Sequence, residues 1–155
     1  MRLLIQVVKE AKVTVDNACV GAIHRGVVVF FAATQEDSSV DVEWLADKLV
    51  QLRIFPDAKG KMNLSLKETE GAALVVSQFT LYADCSHGRR PSFTQAAAPP
   101  FAKELYEQFI TAVKARLKTV ETGIFGAYMV VSLANDGPVT FLIDSKETSC
   151  CSKKK

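Results

Sequence analysis

Val75-Val76-Ser77-Gln78-Phe79-Thr80-Leu81-Tyr82-Ala83-Asp84, continuing as Cys85-Ser86-His87-Gly88-Arg89-Arg90-Pro91-Ser92-Phe93, is where an apolar run turns abruptly into hydroxyls, an amide and a basic loop. β-propensity reads Ala72 to Leu81 as a central strand opened by Gly71. Packing gives Ser77, Gln78 and Thr80 no reason to be there, because a buried polar group costs free energy unless it finds a partner. Two readings stay open for such a cluster: satisfied structural hydrogen bonds, or a site. A second stretch favours a site. Asn135-Asp136-Gly137-Pro138-Val139-Thr140 is a turn-forming run between two apolar segments, and Gly-Pro is an odd choice for a plain hairpin.

Outward from the central strand, Leu3 to Val8 and Lys12 to Asp16 read as strands, the second strictly alternating, with a turn at Asp16-Asn17. Ala18 to Ile23 and Val27 to Ala33 form the next pair, joined around His24-Arg25-Gly26. The run Val27 to Ala33 is apolar enough to be covered on both faces. Ser38 and Asp41 have capping-box spacing, and Val42, Leu45, Leu49 and Leu52 recur at helical spacing as far as Ile54. Pro56 to Gly60 then supply a turn, and Lys61 to Leu64 a short extended piece. Asp84 to Pro100 carries no periodicity, and a loop that long inside a domain is usually functional. Leu105, Phe109, Val113 and Leu117 mark a second helix, which Thr122-Gly123 breaks. Ala127 to Leu133 and Val139 to Asp144 close the chain. About seven strands and two helices, out of regular alternation, predict an α+β domain with a curled, mostly antiparallel, barrel-like sheet.

The 155 residues fit one domain with a sizeable core, and an apolar content of 48% agrees. A net charge of +2 does not announce a nucleic-acid binder without local clusters. The opening Met1 to Lys9 is too short and too soon charged for a signal peptide, and no apolar run reaches the ~18 residues of a membrane span. A cytoplasmic protein is expected. Cys19 and Cys85 are isolated and Cys150 and Cys151 adjacent, a spacing that supports neither a zinc site nor a disulfide framework. No metal and no cofactor are expected. The tail Cys150-Cys151-Ser152-Lys153-Lys154-Lys155 lacks a C-a-a-X ending and reads as a disordered basic end.

A search for ordinary catalytic groups finds little. The two histidines, His24 in a turn and His87 in a Gly-Arg-Arg loop, have no Ser or Cys elbow beside them, and no P-loop, G-x-S-x-G or dinucleotide fingerprint is present. A hydrolase built from this chain would have to rely on oriented backbone N–H donors and on its own substrate.

Ser77 to Asp84 together with Asn135 to Thr140 resemble the two signature motifs of the D-aminoacyl-tRNA deacylases. Leu4-Ile5-Gln6, Arg53-Ile54-Phe55, Gly60 to Leu64, Gly88 to Phe93 and Thr122 to Ala127 are similar to the family's intervening segments, so the resemblance covers residues 1–144 and leaves 145–155 as the tail. It implies the deacylase fold, and a homodimer that cleaves the ester between a D-amino acid and the 3′-terminal adenosine of tRNA, and clears misattached glycine as well. It implies no membrane and no DNA partner. Among the site residues it implies a cis Gly137-Pro138 peptide that reaches into the partner's site. There, backbone carbonyls would accept the substrate's ammonium hydrogens and leave no room for an L side chain. Ser77, Gln78, Phe79 and Thr80 are the implied catalytic segment, with N–H groups near Phe79 and Thr80 supporting the oxyanion and the ribose 2′-hydroxyl assisting. Phe125 and Met129 match positions near the adenosine and aminoacyl pocket. Arg89, Arg90, Lys114 and Lys118 are candidates for phosphate contacts.

One position departs from the family pattern. After Leu-Ile-Gln the family carries an arginine that supports the Gly-Pro carbonyls, whereas this chain has Val7, which has no side-chain donor. Either another cation replaces it, Arg2 or Arg25 being the choices, or the chiral filter is looser. Two rival functions remain at this level: a non-catalytic dimer that binds the acceptor end of RNA, and a small-molecule esterase with Thr80 as nucleophile.

Overall fold

Arg2 to Val15 form one continuous strand, β1, in the computed structural model, which describes residues 1–147. The sequence divides this stretch in two because Lys9 and Glu10 interrupt the alternation. They are the two exposed residues of a bulge. On one edge β1 pairs antiparallel with β3 (Gly26–Ala32) from Arg2 to Val8, and with β2 (Ala18–Ile23) from Ala11 to Val15. On its other edge it pairs with β8 (Val130–Asp144) over nearly its whole length. β6 (Ala72–Ser77) lies parallel to β3, and β7 (Val120–Thr122) parallel to β6, so the sheet runs β2-β1-β3-β6-β7 with β8 beside β1. The curl brings β2 back toward β7. A Cβ on Gly21 of β2 would lie 2.8 Å from the Thr122 carbonyl oxygen. β4 (Arg53–Pro56) and β5 (Met62–Ser65) make a separate antiparallel pair. The expected barrel-like α+β domain is what forms, and among the described residues four of its six ladders are antiparallel.

β3 explains why both faces are filled. Its Val28 and Val29 are fully buried on opposite sides. Val29 and Phe31 face the helices α1 (Ser39–Gln51) and α2 (Pro99–Lys114), where Val42, Leu45, Leu49, Leu105, Phe109 and Val113 form the main core with Leu3, Ile5 and Val75. Val28 faces the inside of the curl with Val8, Val13, Leu74 and Val76. Each such side chain is worth about 1.5–3 kcal/mol of burial.

Several boundaries differ from the sequence reading for physical reasons. α1 begins where expected, with the Ser38 N–H donating to the Asp41 carboxylate at 2.9 Å, but ends at Gln51. Arg53 to Pro56 become strand instead, because pairing with β5 buries Ile54 and Phe55 and the Arg53 guanidinium binds the Asn63 carbonyl at 2.6 Å. α2 starts two residues earlier, at Pro99-Pro100, a place where the missing N–H of proline is not needed. Asn135 to Thr140 are not a turn between two strands. β8 continues through them in one direction and pairs with β1 on both sides of a bulge. At the other end of the described residues, Ser145, which the sequence places in the tail, is buried. Its hydroxyl accepts from the Met1 ammonium at 3.0 Å, and its N–H donates to the Met1 carbonyl at 2.9 Å. The same ammonium donates to buried Asp37 at 2.7 Å. The Cys150-Cys151 segment lies outside the described residues. No described helix is long and apolar enough to cross a membrane.

Gly26 opens β3 against Ala72 of β6 so closely that a Cβ would overlap the Ala72 carbonyl. Gly26→Ala is therefore expected to push the two parallel strands apart and cost about 3 kcal/mol or more. Gly60→Ala, with no neighbour near its missing Cβ but a φ of +74°, should cost about 1–2 kcal/mol. Urea unfolding of the two variants checks the ranking; equal losses would show that β3 and β6 have room to adjust.

Candidate active site

β3 and β6 run parallel and stop together, Phe31 opposite Ser77, and the chain leaving β6 has to turn away from the sheet. The Gln78 N–H makes the last bond of that ladder, donating to the Phe31 carbonyl at 2.7 Å. Phe79 to Tyr82 then form a single 3-10 turn. This corrects the expected strand to Leu81: Gln78 and Thr80 are not in a strand interior, and Thr80 and Phe79 are exposed. A turn this short leaves its first N–H groups without acceptors inside it. Leu81 N–H is taken by the Gln78 carbonyl at 3.2 Å, so the unpaired donors are those of Phe79 and Thr80.

A cavity of about 590 Å³ opens at this end of the parallel strands. Ser77, Gln78 and Phe79 form one wall, and Phe125 and Met129 another, so five of the sequence-derived residues meet there. The segment Ala96 to Pro99, held by the Ala97 N–H on the Ala33 carbonyl at 2.8 Å, closes the side nearest α2. The lining is mostly apolar. Phe79 and Phe93 stand edge to face at the mouth, ring centres 5.0 Å apart and both partly exposed. A Cβ on Gly123 would lie 2.5 Å from the Met129 sulfur, so any larger residue there would displace the Met129 side chain from its place in the wall.

Thr80 does not line the cavity. Its hydroxyl accepts from Gln78 Nε2, which fixes the two side chains against each other. Neither histidine is hydrogen-bonded to it. His24 sits beyond the opposite end of β3, a strand of about 20 Å, and His87 Nδ1 is bonded to Ser86 Oγ at 2.7 Å in the outer loop. That loop is tied at its root by paired backbone bonds between Asp84 and Ser92, and it carries exposed Arg89 and Arg90, neither of which lines the cavity. Lys114 and Lys118 lie at the far end of α2, a helix about 24 Å long, and Lys118 is paired with Glu70.

Gly137 and Pro138 are exposed and do not line the cavity of their own chain. The peptide between them is cis. They belong to the bulge in β8: Gln6 pairs with Thr140 and Val8 with Asn135, so one residue of β1 faces four of β8. Asn135 closes the bulge, its Nδ2 donating to the Val7 carbonyl at 2.8 Å and to the Val139 carbonyl at 3.0 Å. Val7 offers only that carbonyl, its side chain being buried in the main core. Neither cation considered as its replacement stands at the bulge. Arg2 is engaged with Asp144 at the far end of β1, and Arg25 lies over the Phe55 ring. Lys9 is the cation that an ion pair brings to the bulge, 3.8 Å from Asp136.

The sequence reading missed Tyr106. Its ring packs against Phe31 and Phe125, both in the cavity wall, at 5.6 and 5.7 Å between centres. Its hydroxyl donates to the Val75 carbonyl at 2.9 Å, which also accepts the Gly123 N–H at 3.0 Å. Burial pushes the phenol far above its ordinary pKa, so it remains a donor. In the sequence Tyr106 stands three residues before Phe109, off the stripe of Leu105, Phe109, Val113 and Leu117.

A family model described as D-Tyr-tRNA(Tyr) deacylase matches residues 4–144. D-aminoacyl-tRNA deacylases of Fervidobacterium nodosum and Thermus aquaticus are 54% and 56% identical over 147 residues. These alignments span 95% of this chain and 99% and 97% of those proteins. Among solved structures, a c-Myc DNA unwinding element binding protein superposes with a TM-score of 0.88 at 35% identity, covering 93% of this chain and 98% of that one. A probable eukaryotic D-amino acid tRNA deacylase shares the fold, with a TM-score of 0.78 at 21% identity over 92% and 97% of the two chains.

Tyr106→Phe should lower stability by about 0.5–1.5 kcal/mol, because Val75 keeps the Gly123 bond and no buried carbonyl is orphaned. Tyr106→Ala, which removes the ring shared by two walls, should cost about 3–5 kcal/mol. Chemical denaturation separates them; an equal cost would mean that the hydroxyl and not the ring holds the wall.

Proposed function

The chain belongs to the D-Tyr-tRNA(Tyr) deacylase family, and from that premise we propose how its cavity works as the ester-cleaving site of a D-aminoacyl-tRNA deacylase. The observation that carries this reading is a turn with unpaired N–H groups at Phe79, which lines the apolar cavity, and at the next residue, Thr80, beside a cavity lining that holds no side-chain base. The terminal adenosine enters between Phe125, Met129 and the Ala96–Pro99 segment, with the ester carbonyl against the turn. Water attacks the carbonyl carbon, and the developing oxyanion is held by the two backbone donors. The 2′-hydroxyl of the ribose assists proton movement, the 3′-oxygen leaves as the tRNA hydroxyl, and the D-amino acid departs as its carboxylate. Gln78 and Thr80 position the turn. A nucleophilic Thr80 would need an adjacent base, and the histidines are engaged or distant.

Selection against L-amino acids falls to the Gly137-Pro138 bulge of a second copy of the chain. Support comes from its exposure, from its separation from its own cavity, and from the exposed face of β8, where Val130 and Leu142 are 54% and 58% exposed beside Tyr128 at 90%. Carbonyls presented from such a rigid bulge accept the α-ammonium and exclude an L side chain. Glycine, without a side chain, passes the same filter. Arg89 and Arg90 take the acceptor-stem phosphates, while Lys114 and Lys118 serve only if the RNA extends along α2.

The protein is expected to release D-tyrosine from D-Tyr-tRNA at least 100-fold faster than L-tyrosine from the L form. Binding of either without faster ester loss would leave an RNA-binding module. Thr80→Ala should retain activity within about tenfold, since the hydroxyl positions and does not attack; abolition in a folded protein that still binds tRNA would instead make Thr80 the nucleophile. With 2′-deoxyadenosine at the tRNA terminus, hydrolysis should slow by about 100-fold or more, and an unchanged rate would remove the 2′-hydroxyl from the mechanism.

A further inference from the structure

Arg2 is separated by 79 residues from the turn that bears the donor N–H groups, yet it grips that turn. Its Nη1 donates to the Leu81 carbonyl at 2.9 Å, and its guanidinium carbon lies 4.4 Å from the centre of the Tyr82 ring. Its Nε donates at 2.8 Å to Asp144, the residue paired with it across the β1–β8 ladder. Asp144 is itself oriented by accepting the Lys146 N–H at 2.9 Å. A one-turn 3-10 helix has too few internal bonds to hold its own geometry. The flat fork of a guanidinium can bind a carbonyl and a carboxylate while stacking on a ring, which a lysine cannot do.

From this geometry we infer that Arg2 is a positioning residue for ester cleavage: anchored to Asp144, it clamps the Leu81 carbonyl and the Tyr82 ring and so fixes the direction of the Phe79 and Thr80 N–H groups. The inference rests on the reading of those N–H groups as the oxyanion donors. Arg2 touches no substrate in this scheme and does not line the cavity. Its effect belongs in the chemical step and not in binding, because the walls that hold adenosine are built by other residues. Tyr82 is buried, so the ring side of the clamp has no freedom to follow a displaced turn.

Arg2→Ala and Arg2→Lys are compared with the wild type by single-turnover hydrolysis of D-Tyr-tRNA and by amide exchange at Ala83, whose N–H closes the turn on the Thr80 carbonyl at 3.0 Å. Both variants should exchange faster at Ala83 and lose about tenfold or more in the hydrolysis rate, with KM unchanged within about twofold. The failure of lysine to rescue marks the fork and not the charge. Unchanged exchange at Ala83 would overturn the clamp. Faster exchange with an unchanged rate, or a loss confined to KM, would overturn its role in the reaction. A wild-type protein with no hydrolytic activity would sink the deacylase reading itself, and the exchange measurement alone would then decide whether the clamp exists.

Discussion

β1 is hydrogen-bonded along both of its edges, and most of the architecture follows from that constraint. On one edge β3 must hand over to β2, and the exposed Lys9-Glu10 bulge occurs where it does so. On the other edge β8 cannot slip or turn back, because Arg2–Asp144 and Thr14–Val130 pairs hold its two ends. The three surplus residues of β8 therefore have to be pushed out sideways. The Gly137-Pro138 projection is thus a product of a fixed register, and Asn135 keeps it closed by binding carbonyls on both strands. The same ladder brings the two ends of the described chain together, so Met1, Asp37 and Ser145 form a buried ionic cluster one residue from Arg2.

The parallel side of the sheet does different work. β3 and β6 end at the same level, and the space past their ends is roofed by α2 and the Ala96–Pro99 segment. Cavities form readily outside the carboxyl ends of parallel strands, since the chain there must diverge toward its next element. Here the diverging piece is the 3-10 turn. Val75 is the point where several walls meet: its carbonyl accepts from Tyr106 on α2 and from Gly123 at the end of β7.

Local pattern made some of this legible. Val27 to Ala33 announced a strand covered on both faces, and the Ser38–Asp41 spacing placed the start of α1, because both signals depend on near neighbours. Ser77 to Phe79, Phe125 and Met129 were picked out as site residues through a resemblance, and the fold brings them to one cavity. What stayed hidden depended on distant partners. Phe79 and Leu81 continue the alternation of β6, so nothing local shows that pairing with β3 ends at Ser77. Gly137-Pro138 carries every local mark of a hairpin, and only β1 running past it makes the segment a bulge. The helical stripe of Val42, Leu45, Leu49 and Leu52 runs on as far as Ile54, until Met62–Ser65 claims Arg53 to Pro56 for a two-stranded sheet.

Arg2 shows why a backbone site is especially hard to read. A catalytic side chain appears in the sequence as itself, whereas an N–H is common to every residue but proline, and only its orientation distinguishes it. Orientation is set by whatever holds the peptide plane, and those holders can be anywhere in the chain. For the Phe79–Tyr82 turn they are Gln78 nearby in the chain, and Arg2 with its ladder partner Asp144, which the sequence holds 142 residues apart. The exposed Thr80 hydroxyl is visible in the sequence as itself, whereas the arginine that bonds the Leu81 carbonyl of the same turn lies 79 residues from that carbonyl. In such an arrangement the sheet register and the turn are the same constraint: moving β8 by one residue against β1 would take Asp144 from Arg2 and with it the anchor of the guanidinium that holds the Leu81 carbonyl.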